Sequence, residues 1–96
     1  MQRDRVPDGE LQAAVADLLD ALQRKLKKHG DLEFVGQHEI LGQFTEEYKE
    51  TIEAVHANDK VGLYWECADM AVVALWGMAS LLHQGVRPAR NESGEA

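Results

Sequence analysis

Lys60–His83, KVGLYWECADMAVVALWGMASLLH, is the stretch on which the fold turns. Between Val61 and Leu82 its only ionisable carboxyl groups are Glu66 and Asp69, set among Leu63, Trp65, Cys67, Met70, Val72, Val73, Leu75, Trp76, Met78, Leu81 and Leu82. Asn58 or Asp59 can cap its start, and Gly85 and Pro88 stop it. The pattern predicts a helix that is apolar nearly all round. A membrane span needs about 20 predominantly apolar residues. Two acids in the first half would each cost roughly 2.5 to 3.5 kcal/mol near a bilayer centre, so no membrane crossing is expected. The remaining reading is a central helix covered by protein, and two companion helices from a short chain do not easily surround it. Self-association is therefore expected.

Asp8 is a candidate N-cap for a first helix over residues 9–29, in which Leu11, Val15, Leu18, Leu22 and Leu26 recur at helical spacing. Gly30 suits its C-terminal end, where Arg24, Lys25, Lys27 and Lys28 complement the helix dipole. Residues 31–37 read as a loop. A second helix starts near His38 and ends near His56-Ala57-Asn58, with Leu41, Phe44, Tyr48, Ile52 and Val55 on one stripe. The expected fold is all-α: an antiparallel helical hairpin or bundle of three main helices, completed by oligomerisation. Residues 1–86 form one domain, and 87–96 a polar tail that adds nothing to the core.

Composition narrows the function. Ninety-six residues support one core, and few aromatics with two prolines argue against a many-stranded β fold. A net charge of -7 repels nucleic-acid polymers, while an acidic protein that handles phosphates needs a cation to reconcile the charges. Cys67 is the single cysteine, so no disulfide forms within the chain. Met1 to Gly9 lacks the apolar stretch of a secretory signal, and a cytoplasmic setting is expected.

Two acid pairs have i, i+3 spacing: Glu47 with Glu50 and Glu66 with Asp69. Such pairs project from one helix face, and an antiparallel hairpin brings both to similar height. Four carboxylates without histidine or thiol partners suit magnesium or manganese rather than zinc. Glu47 and Glu50 alone are also what a solvated helix face carries. Glu66 and Asp69 are harder to explain that way, because acids in an apolar helix need partners or a metal. Glu46 and Glu53 point further towards solvent, and Glu46 is kept as a candidate for an outer-shell role or for activating water.

The run Glu46-Glu47-Tyr48-Lys49-Glu50, followed by Glu66-Cys67-Ala68-Asp69, resembles the EExxE and ExxD signature of the MazG-like all-α nucleoside triphosphate pyrophosphohydrolases. The resemblance covers residues 38–83, and His38-Glu39 is similar to a short motif of small phage-type and mobile-element members. It implies magnesium-dependent cleavage, with manganese as an alternative, between the α and β phosphates of a nucleoside triphosphate, giving monophosphate and pyrophosphate. On this chain it implies Glu47, Glu50, Glu66 and Asp69 as metal ligands, with Glu46, Glu47 and Glu50 as the catalytic acids, in a homodimer or homotetramer. Where the family often has glycine and leucine between the acids of its second motif, this chain has Cys67 and Ala68.

Trp65 and Trp76, which could stack on a base, are read first as core or oligomer contacts, Cys67 as a buried packing residue, and the Arg24 to His29 cluster, which could attract a triphosphate across a subunit interface, first as a helix-dipole complement. The leading expectation is a nucleotide pyrophosphohydrolase that removes non-standard or surplus nucleotides. The alternatives are a non-catalytic helical oligomerisation module with a vestigial metal site, and a family member acting on another pyrophosphate compound such as a phosphoribosyl nucleotide.

Overall fold

The computed structural model describes residues 2–89. It contains three helices, α1 Asp8–His29, α2 Gln37–His56 and α3 Lys60–His83, and no strand among the described residues. The all-α expectation holds. Most of the expected tail from Arg87 lies outside the described residues.

Local chemistry explains the boundaries. Asp59 caps α3, its carboxylate accepting from the Gly62 N–H at 2.8 Å. Asn58 takes φ 53° in the tight turn before it, a conformation Asn tolerates better than most residues. Gly30 ends α1 with φ 79°. The α1 start differs from expectation by one position: Pro7 occupies the cap and Asp8 is already helical, its charge near the positive end of the dipole.

α3 is the spine, packing against both other helices, while α1 and α2 make no close backbone approach. The α2–α3 hairpin is antiparallel, since Ile40 lies against Gly77 while Thr51 donates to the Met70 sulfur. α1 runs alongside α3 in the same direction, with the Tyr64 hydroxyl donating to Asp17 at 2.6 Å. The loop after α1 is tied to the far end of α3. The Phe34 N–H donates to the buried Ser80 hydroxyl at 2.9 Å, the Trp76 indole N–H to the Leu32 carbonyl at 2.8 Å, and the Gln84 amide to the Phe34 carbonyl at 2.6 Å.

The face of α2 turned to α3 is one residue out of phase with the apolar stripe read from sequence. Ile40, Gln43, Phe44, Glu47, Thr51 and Ala54 are shielded, whereas Leu41, Tyr48, Ile52 and Val55 are exposed. On α3 only Val72, Val73, Gly77 and Ser80 are buried, leaving Leu75, Met78 and Leu82 open. Cys67 is exposed, which corrects its assignment to packing: it lies about 100° round the helix from Glu66, on a side that neither companion covers.

Gly77 sets the hairpin spacing. A Cβ there would stand 3.4 Å from Ile40 Cγ2, ordinary contact, while anything longer would drive into it. Gly77→Ala should hold or raise stability by up to about 1 kcal/mol through helix propensity. Gly77→Leu should lower it by about 1 to 3 kcal/mol. Urea denaturation of both variants checks this, and equal midpoints would contradict the close approach.

Candidate metal centre

The sequence places acids on both legs of the hairpin, and the fold sets them at one level. Glu47 of α2 and Glu66 and Asp69 of α3 each offer a carboxylate oxygen within 4.8 Å of the others. Glu50 does not join that set of three, but it is close enough to Glu66 to push that carboxyl's pKa up. Glu46 stays on the exposed side of α2, outside the convergence.

Glu47 is buried at 7% exposure on the inner face of α2, whose register carries Ile40 and Phe44 above it and Thr51 below. Glu66 and Asp69 are half-buried. Glu47 Oε2 and Glu66 Oε2 are shielded from solvent and have no hydrogen-bond partner. A buried carboxylate oxygen without a partner is costly, and a group of them calls for a cation. The donors are hard oxygens, and their spacing lets them close on a common point at the about 2.0 to 2.6 Å of magnesium or calcium ligation. The residues present therefore fit a hard divalent cation.

The electrostatics agree. Desolvation pushes the Glu66 carboxyl up to about 7, with further upward push from Glu50, Asp69 and Glu47. Glu47 is also raised, chiefly by burial, with Glu50 and Asp69 adding to the rise and Lys25 opposing it. Lys25 of α1 reaches across to Glu47, Nζ to Oε1 3.6 Å. Neither the dipole-complement reading of the basic cluster nor the triphosphate alternative included this contact. Its signal was in the spacing: Lys25 follows Leu22 by three and Ala21 by four, on the inward face of α1.

Two recesses flank Lys25 and His29. One, of about 460 Å³, lies between α1, the 30–36 loop, α2 and α3, with Phe34, Val35, Gln43 and Trp76 in its walls. The other, of about 190 Å³, runs between the basic side of α1 and Trp65 and Asp69 of α3. Both tryptophans thus line open space rather than a closed core.

Fold and acids together are those of a MazG-like all-α domain. More particularly, residues 14–92 match the profile of the phosphoribosyl-ATP pyrophosphohydrolase family, and the chain belongs to that family of the MazG-like superfamily. No curated protein and no solved structure matches the chain.

The raised carboxyls make stability depend on pH. Between the ordinary value of 4.5 and about 7, folded Glu66 keeps a proton that the unfolded chain has lost, so unfolding free energy falls as pH rises through that window. Thermal melts in chelator should show the melting temperature dropping from pH 4.5 to 7.5, and millimolar magnesium should restore it at the upper end. A melting temperature that is flat in chelator and insensitive to magnesium would contradict the electrostatic account.

Proposed function

We propose that this protein is a metal-dependent nucleotide pyrophosphohydrolase that cleaves between the α and β phosphates, releasing pyrophosphate and a nucleoside monophosphate. The observation that carries the reading is the meeting of Glu47, Glu66 and Asp69, two of them with unpartnered buried oxygens, in a chain of this family. The family's name specifies phosphoribosyl-ATP, and nucleoside triphosphates offer the same triphosphate chain, so both are substrates to test.

Glu47, Glu66 and Asp69, completed by Glu50, are the residues that would hold magnesium or manganese. The cation supplies neutralisation of phosphate oxygens and a lowered pKa for an attacking water. Glu47 and Glu50 would fix the α2 side of the site, and Glu46, on the exposed side of α2 outside the convergent set, would be the acid to accept the attacking water's proton. The larger recess, with Phe34 and Trp76 in its walls, receives the nucleoside end, and its volume falls in the range of small-ligand pockets, about 300 to 1,000 Å³.

The working form is a homodimer or homotetramer in the cytoplasm, built from a domain over residues 1–86 with 87–96 as a tail. Support comes from the exposed apolar residues of α2 and α3, among them Leu41 at 63% and Met78 at 62%, more than scattered surface apolar residues require. The same surface favours a second reading, a non-catalytic assembly module in which the acids bind metal weakly.

Pyrophosphate release from phosphoribosyl-ATP and a panel of canonical and modified nucleoside triphosphates, with magnesium, manganese or chelator, separates the two. Metal-dependent release is expected. Glu66→Gln and Asp69→Asn should each lower kcat by at least about 100-fold while the sedimentation coefficient stays unchanged. Folded, assembled protein that releases no pyrophosphate from any of these compounds would sink the enzymatic reading.

A further inference from the structure

Helix electrostatics account for part of the basic half of α1. Lys27, Lys28 and His29 stand in the last turn, where cations offset the exposed carbonyls, and Arg24 is held by Asp20 at 2.8 Å. Lys25 is different. It is half-buried and turned inward across the gap to α2, with Glu47 at 3.6 Å. Among the described residues it is the one cation in salt-bridge contact with the carboxylate cluster.

Beside it lies the smaller recess. Arg24, Lys25, Lys28 and His29 form one wall, and Asp69, an acid of the convergent set, stands opposite. The net charge of the chain is -7 with histidine counted as neutral, so three cations, Arg24, Lys25 and Lys28, gathered with His29 round one recess beside the acids are a local reversal of sign. An ammonium this close to Glu47 competes with any divalent cation for the same carboxylate. The flexible four-carbon stem of lysine lets it swing into the recess instead, among like charges that an anion would reconcile. The anion that sits against both a cation-loaded carboxylate cluster and a basic wall is a phosphate chain.

We propose that Arg24, Lys25, Lys28 and His29 form the subsite for the pyrophosphate end of the substrate, and that Lys25 exchanges Glu47 for a phosphate oxygen when a divalent cation occupies the acids. This rests on reading the carboxylates as a metal site. Lys25 is thereby a stand-in cation in the metal-free protein and a phosphate ligand in the loaded one.

Calorimetry tests both halves, first titrating magnesium alone, then inorganic pyrophosphate into magnesium-saturated protein. Lys28→Gln, at an exposed position that makes no ion pair with the acids, should leave magnesium affinity largely unchanged and weaken pyrophosphate about tenfold. Lys25→Gln should tighten magnesium several-fold, since its competitor is gone, and weaken pyrophosphate about tenfold. Unchanged pyrophosphate affinity in both variants, with magnesium still bound, overturns the subsite and leaves the metal reading standing. Wild-type protein that binds no magnesium overturns the metal reading and the subsite with it.

Discussion

Acidic side chains from two helices share one desolvated level of the α2–α3 hairpin, and the rest of the structure is organised around holding them there. Glu47, Glu66 and Asp69 repel one another when charged, and Glu50 adds to the repulsion felt by Glu66. Left to electrostatics, the legs of the hairpin would part. Two contacts keep them together: Gly77 admits Ile40 near the far end, and Thr51 reaches Met70 at the level of the acids. Val72 and Val73 are buried on the stretch of α3 between these points. These contacts hold the acids together against their repulsion, which a cation would relieve.

The same constraint explains why α1 is present. α2 and α3 alone would leave the acids open on one flank, and α1, packed on α3, closes that flank and brings Lys25 to Glu47. Its attachment is completed by the loop that follows, whose backbone groups are satisfied by Ser80, Trp76 and Gln84 rather than by secondary structure. These bonds fix the walls of the larger recess, so a connection that reads as a plain loop is shaped by the end of α3.

How much was legible follows from the type of signal each residue carries. The ends of α3 were readable because capping and positive φ are local demands that Asp59, Asn58 and Gly85 meet by themselves. The acid pairs were readable because i, i+3 spacing acts within one helix. The inward face of α2 was not. Leu41, Tyr48, Ile52 and Val55 make as good a stripe as the face that packs, and which of two faces turns inward depends on the partner helix. Cys67 was misplaced for a related reason: an all-round apolar helix does not say which side its companions leave open.

Helical character, the helix ends and the recurrence of acids on two helices are written in the local sequence, since they depend on dihedral preference, caps and a period of about 3.6 residues. Only the tertiary structure decided that three of those acids meet, that Lys25 joins them across the gap from α1, and that two carboxylate oxygens are left without partners. Those outcomes depend on the rotation and register of one helix against another. They are set by the sum of many weak contacts between residues far apart in the chain, with Ile40 against Gly77 as the clearest of them.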